Sequence, residues 1–234
     1  MSIGRVLSSL VVAVLSACLW LGQVRAQVED QRQILSDAAE VLHEIQRIPE
    51  QAIPPRLLSR AGGIVIVPGM VKAGFLVGGA HGRGVVMVKN EGTGWSDPAF
   101  ITLSAGSLGF QIGVQSTDVI LVFKSSKSVE NLANGKFTLG ADANVAAGPV
   151  GRSAEAATDA RLKSEIYSYS RSRGLFAGVS LEGSVLEIDA GANSAFYDSS
   201  DITAAAIFAR RDTQPPVGVA VLKQELAKAT ELGE

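Results

Sequence analysis

The stretch Gly62-Gly63-Ile64-Val65-Ile66-Val67-Pro68-Gly69-Met70-Val71-Lys72-Ala73-Gly74-Phe75-Leu76-Val77-Gly78-Gly79-Ala80-His81-Gly82-Arg83-Gly84-Val85-Val86-Met87-Val88 decides the fold class. Ile64 to Val67 is an unbroken β-branched run and reads as a buried strand, closed by Pro68-Gly69. Gly74 to Val88 reads as a second, long strand. Its five glycines sit where a bent strand or close backbone approach needs them. Gly78 to Gly84 is glycine-rich enough to cradle a phosphate through backbone N–H groups. It lacks the Gly-Lys-Ser/Thr ending of a P-loop and the order of a dinucleotide fingerprint, so the bent strand is the better reading.

Outward from this stretch the periodicity changes. Residues 28–48 repeat apolar side chains at Ile34, Ala38, Val41, Ile45 and Ile48, with Leu35 and Leu42 beside them, which predicts a helix ended by Pro49. Arg56 to Arg60 fits a short helical turn. Downstream, Ala99–Gln115 and Val119–Phe123 read as strands, and Ser125 and Ser126 are placed to cap a short helix through Asn134. Phe137–Ala147, Glu165–Ser172 and Leu175–Asp189 again read as strands. Asp201–Ala209 and Val217–Leu232 read as helices. Strands in sequence with helices at both ends predict an α+β fold. Its expected form is a curved, largely antiparallel sheet or partly closed barrel with N- and C-terminal helices packed against it.

The N-terminus carries a separate expectation. Arg5, an apolar run from Val6 to Leu21, and small residues before Gln27 predict a secretory signal over residues 1–26. Leu15-Ser16-Ala17-Cys18 supports an alternative, a lipobox in which Cys18 is acylated. Either way the sequence predicts an exported protein of the periplasm or cell envelope, with residues 27–234 as one domain. Cys18 is the only cysteine, so the remainder has no disulfide and no cysteine metal site. That remainder holds nineteen basic residues against 23 acidic ones, a balance that excludes general nucleic-acid binding.

A succession of motifs runs in order along residues 35–231. It begins with Gly62-Gly63-Ile64-Val65-Ile66-Val67-Pro68, His81-Gly82-Arg83-Gly84 and Gly94-Trp95-Ser96-Asp97-Pro98-Ala99-Phe100. It continues through Gly148-Pro149-Val150-Gly151-Arg152, Ile166-Tyr167-Ser168-Tyr169-Ser170 and Gly174-Leu175-Phe176-Ala177-Gly178 to Asn193 and Phe196-Tyr197. This succession resembles the SYLF lipid-binding domain family, whose fungal members are also described as actin-binding. The resemblance implies binding of membrane lipids, phosphoinositides in eukaryotic members, and no catalysis. For an exported protein it leaves an anionic phospholipid or membrane surface as the expected partner, with an envelope structural or protein-interaction module as the alternative.

Candidate binding residues follow from charge. From Gln51 to Asn90 there is no acid, while Arg56, Arg60, Lys72, Arg83 and Lys89 are basic and His81 adds charge when protonated. Gathered in space, these six side chains form a patch for lipid phosphates; scattered, they are solvated strand ends. The 28–48 helix is net acidic, so its apolar stripe is expected to cover the sheet, not an anionic bilayer. Enzymatic readings lack support. His43 and His81 are the only histidines and fall in different settings, Ser180 is one residue off a nucleophile-elbow spacing, and Glu187 with Asp189 has no base beside it. No cofactor or metal is expected. Trp95, Phe100, Phe110, Phe123, Phe137 and Phe176 are expected in the core.

Overall fold

The computed structural model describes residues 27–48, 52–75, 77–90, 92, 94–108, 113–150, 164–172, 175–176, 181–211 and 215–231. The expected signal segment, Cys18, Ser180 and Phe110 lie outside them. The elements are α1 (27–47), α2 (Pro55–Ser59), β1 (Gly63–Phe75), β2 (Val77–Asn90), β3 (Gly94–Trp95), β4 (Ala99–Leu108) and β5 (Gly113–Phe123). They continue with α3 (Ser126–Ala133), β6 (Lys136–Thr138), β7 (Val145–Ala147), β8 (Ile166–Ser172), β9 (Leu175–Phe176) and β10 (Val185–Ile188). The chain closes with α4 (Ala190–Tyr197), α5 (Ala204–Ala209) and α6 (Val217–Glu231).

The strands form one curled sheet in the order β6-β10-β4-β2-β1-β5-β8-β7, with β3 beside β2 and β9 beside β8. The described pairings are antiparallel except β7 with β8. The α+β expectation, a curved sheet with helices at both ends, is borne out.

Ile64 to Val67 are all apolar because both faces of the sheet are covered there. Ile64, Ile66, Val85, Met87, Phe100 and Ile120 share one core with α1, α2 and α6. Val65, Val67, Val86, Ile101, Leu121 and Phe123 share the other with α3 and α5. The stripe of α1 (Leu35, Ala38, Leu42 and Ile45) is buried in the first core, so this helix covers the sheet as its acidic polar face suggested. Trp95, Phe100, Phe123 and Phe137 are likewise buried.

Pro68-Gly69 does not end β1. The register slips between Val67 and Met70 against β5 and between Ile66 and Val71 against β2, which is a β-bulge. Gly69 takes φ +54° there, and its N–H is bonded to Asp118 Oδ1 at 2.9 Å. A bulge is where a strand admits proline without losing a ladder bond. The chain turns back only at Phe75–Val77. The stretch Ala99–Phe123 divides into β4 and β5, and Leu175–Asp189 into β9 and β10. Helix α4, absent from the sequence reading, is capped by Asp189, whose Oδ1 accepts the Ala192 N–H at 2.9 Å. From it Asn193, 1% exposed, bonds both the N–H and C=O of Phe100 and ties α4 to the sheet.

Tyr169 supplies an alkaline-pH prediction. Its ring is 1% exposed and lies where a Cβ on Gly148 would stand. Its hydroxyl donates to Pro149 O at 3.2 Å. Burial pushes its pKa up, and repulsion from Tyr167 adds to this. A phenol with a raised folded-state pKa leaves stability intact below the unfolded value, about 10. Above it, the unfolded chain releases a proton that the folded chain keeps. Stability then falls by about 1.4 kcal/mol per pH unit. Tyr169→Phe should cost about 1 kcal/mol at neutral pH for the lost hydrogen bond and remove one proton's worth of alkaline slope. Urea unfolding from neutral to strongly alkaline pH checks this; an unchanged slope would refute the assignment.

Candidate functional site

The six predicted cations do not form one patch. Lys72 and His81 lie on the glycine-rich halves of β1 and β2, beyond the bulge, and Arg83 lies on β2 opposite the bulge. Arg56, Arg60 and Lys89 lie at the opposite end of the sheet. His81 and Lys89 stand eight positions apart on β2, about 26 Å at strand rise. A continuous strand holds its ends apart, so charge bias along one hairpin cannot converge.

On the far half, His81 pairs across the strands with Val71 and Ser104, and its Nδ1 lies 3.0 Å from Ser104 Oγ. Val71 is 46% exposed. Arg83 is engaged by α1, through Asp30 Oδ2 at 3.3 Å. Helix α1 then continues across the bulge line. Asp37, Glu40 and Glu44 face Gly69, Asp118 and Arg171 around a cleft of about 400 Å³. Arg171 bridges Glu44 and Asp118, the latter at 3.1 Å. Burial disfavours its charge, but the two carboxylates more than offset this and raise its pKa. This flank of the molecule is acidic.

At the near end, Lys89 is partly buried. Its Nζ donates to Ser59 O at 2.5 Å and stands 6.0 Å from the Trp95 ring centroid, while Arg56 and Arg60 are exposed. Lys124, Lys127 and Arg211, which the sequence reading did not single out, are exposed at the same end. The only signal for the first two was their adjacency to the Ser125-Ser126 cap.

Behind this end Asp97 is 1% exposed. Lys223 Nζ reaches its Oδ1 at 2.5 Å and Arg210 Nε stands 3.4 Å from its Oδ2. Sequence reasoning saw Asp97 only as part of a motif, because its partner on α6 is 126 residues away.

The enzymatic candidates separate. Asp189 caps α4, and Glu187 is exposed with Lys136 Nζ at 3.6 Å. His43 lies against Glu225 of α6 at 3.2 Å, whereas His81 lies against Ser104 of β4. Among the described residues no three His, Cys, Asp or Glu side chains gather as metal ligands. None of their helices is long and apolar enough to cross a membrane.

Comparison with known proteins places this architecture. A family model described as Las17-binding protein actin regulator, Ysc84, matches residues 104–229. SH3 domain-containing YSC84-like protein 1 of Xenopus laevis is 38% identical over 173 residues, 71% of this chain and 51% of that protein. Protein YSC84 of Saccharomyces cerevisiae is 39% identical over 177 residues, 74% and 37% of the two chains. SH3 domain-containing protein PJ696.02 of Schizosaccharomyces pombe is 36% identical over 203 residues, 86% and 44%. The chain thus spans about half or less of these relatives. Two of these names denote SH3 domain-containing proteins, the family description denotes an actin regulator, and none of them names an enzymatic activity.

These relatives overturn one expectation. The sequence predicted an exported protein of the periplasm or cell envelope, with an envelope partner as the alternative. The relatives are proteins of a frog and two yeasts, organisms that have no periplasm, and the family model is described as an actin regulator. An apolar run such as Val6–Leu21 reports only that a segment avoids water; it does not report the destination of the chain. Match of the family model over more than half of the chain, on a curled sheet flanked by helices, identifies this protein as a member of the Ysc84 (SYLF) family.

Proposed function

We propose that this chain is a non-enzymatic binding module for anionic membrane phospholipid. The observation that carries the reading is the segregation of charge. Arg56, Arg60, Lys89, Lys124, Lys127 and Arg211 stand at one end of the sheet, and Asp37, Glu40, Glu44 and Asp118 line the cleft between α1 and the bulge. Such a molecule presents one attractive side to a negative surface. With export set aside, cytosolic ligands that an exported chain does not meet also return to consideration.

Co-sedimentation with vesicles of phosphatidylcholine, with and without phosphatidylserine, tests the reading. Binding should require the serine lipid and weaken as salt rises, because counterions screen a surface attraction. Equal recovery on both vesicles, or none on either, would refute it.

A second reading is a protein-interaction module. What favours it is the description of the relatives' family as Las17-binding. Stoichiometric capture of a protein partner by chain that leaves anionic vesicles untouched would select it over the first.

A further inference from the structure

We propose that the end of the sheet where β1 begins and β2 and β5 finish is the docking face for an anionic membrane surface. The acidic α1 flank and the glycine-rich hairpin halves point away from it. This rests on the lipid-binding reading above and adds the face and the orientation.

The fold builds this face from four separate stretches of chain. Gly62 packs directly on the N-terminal turn of α3, so closely that a Cβ there would stand 2.2 Å from Ser126 N. That contact, with the Gly62 N–H donating to Phe123 O at 2.8 Å, joins the segment that carries Arg60 to the one that carries Lys124 and Lys127. The Lys89 N–H donates to Gly62 O at 3.0 Å, which brings in the end of β2. Asn90 Nδ2 and Arg211 Nη1 both donate to Phe208 O, at 3.2 and 3.1 Å, which brings in Arg211. Arg56 stands on α2, whose Ser59 carbonyl holds Lys89.

Glu165 belongs to this end, its backbone carbonyl accepting the Lys124 N–H at 3.0 Å and its side chain bonded to Ser128 Oγ. Glu91 and Asp212, next along the chain, lie outside the described residues. The first turn of α3 opens at the same end and adds the positive pole of its peptide dipoles. Cations on the ends of several elements are too spread for one phosphate to satisfy. They match a surface that offers many headgroups, to each of which one side chain contributes.

The opposite half of the sheet is a poorer match. Arg83 and Arg171 are engaged by carboxylates, and the cleft beside them is lined by Asp37, Glu40, Glu44 and Asp118. An anionic bilayer repels that flank, so the charge distribution selects a single orientation.

The test uses the whole chain and vesicles of phosphatidylcholine with phosphatidylserine. The triple variant Arg60→Gln/Lys124→Gln/Lys127→Gln should bind about 100-fold more weakly, at about five-fold per cation removed. The double variant Lys72→Gln/His81→Gln should stay within about two-fold of wild type, since neither residue faces the bilayer in this orientation. Lys124→Arg/Lys127→Arg should bind like wild type, because it keeps the charge. Urea unfolding of each variant reports folding. Should the triple variant unfold, Lys127→Gln alone, at an exposed helix position, should still show the five-fold loss and a shallower salt dependence.

A triple variant as tight as wild type overturns the docking face while leaving lipid binding standing. So does a double variant that loses as much as the triple. Wild type that ignores phosphatidylserine overturns the lipid reading itself, and the face with it. Loss of an acidic protein partner with vesicle binding unchanged makes this end a protein interface and overturns the proposal.

Discussion

Replacing Asp97 with alanine should lower the unfolding free energy by about 3–5 kcal/mol. The carboxylate is 1% exposed and holds Lys223 of α6 at 2.5 Å and Arg210, at the end of α5, at 3.4 Å. Removing one member of a buried charge group leaves the others desolvated without compensation. The Lys223 and Arg210 side chains are 27% and 34% exposed. Partial access to water lets them recover some hydration, which places the effect toward the lower end of that range. The site is held from several sides. Tyr197 donates to Pro98 O at 2.6 Å, its ring lies 5.0 Å from the Arg210 guanidinium, and the Ser96 hydroxyl donates to Asp97 O at 2.8 Å. Asp97 is thus a point where the end of α5 and α6 are fastened to the sheet, beside their apolar packing. Hydrogen exchange in Asp97→Ala should therefore rise in α6 before it rises in β1 or β5. Lys223→Met should cost less, because Arg210 still faces the carboxylate. Urea unfolding of the three proteins checks the order; a loss under about 1 kcal/mol for Asp97→Ala would show that the group is not energetically buried.

Gly84→Ala should cost about 3 kcal/mol or more and reduce the yield of folded protein. A Cβ at Gly84 would stand 2.2 Å from Ile66 O and 2.8 Å from Val67 Cα. Those are backbone atoms of the bulge in β1 and cannot turn aside as a side chain would. The extra residue of the bulge is accommodated because β2 offers bare backbone opposite it, and a Cβ at Gly82 would crowd mainly the side chains of Val67 and Met70. Gly106 is the control. It lies on β4, and a methyl group added there would meet nothing within 4 Å. Gly106→Ala should therefore be neutral or stabilise by about 0.4–1 kcal/mol through the unfolded chain. Thermal unfolding of both variants separates glycines that shape the sheet from one that does not; equal effects would refute the packing argument.

Much of the fold is legible in the chain because periodicity is a local property. The stripe of α1, the Ser125 cap of α3 and the alternation of β8 each report their element within a few residues. Pro68-Gly69 misleads because a strand end and a bulge use the same residues, and only the pairing of Met70 with Thr117 and Val71 with His81 tells them apart. Helix α4 was hidden because Ala190-Gly191-Ala192-Asn193 carries no apolar period. Its evidence is the Asp189 cap and the bonds of Asn193 to Phe100, both tertiary facts.

The candidate site was legible only in part. The sequence located an acid-free stretch and six cations within it, and it identified the family. It could not show that β2 carries those cations in two opposite directions along its length. Nor could it show that Gly62 lies on the start of α3 and joins the segment of Arg60 to that of Lys124 and Lys127.

The opening stretch, residues 62–88, contains both lessons. By itself it determined that this protein is built on paired strands, since a β-branched run followed by a glycine-rich one has few other ways to bury itself. The tertiary structure alone decided where the first strand ends, which face each cation meets, and that Asp97 fastens the C-terminal helices. The physical reason is range. Propensity and periodicity act between neighbours in the chain, whereas the bulge, the charge clusters and the buried carboxylate exist only when residues tens to more than a hundred positions apart are brought into contact.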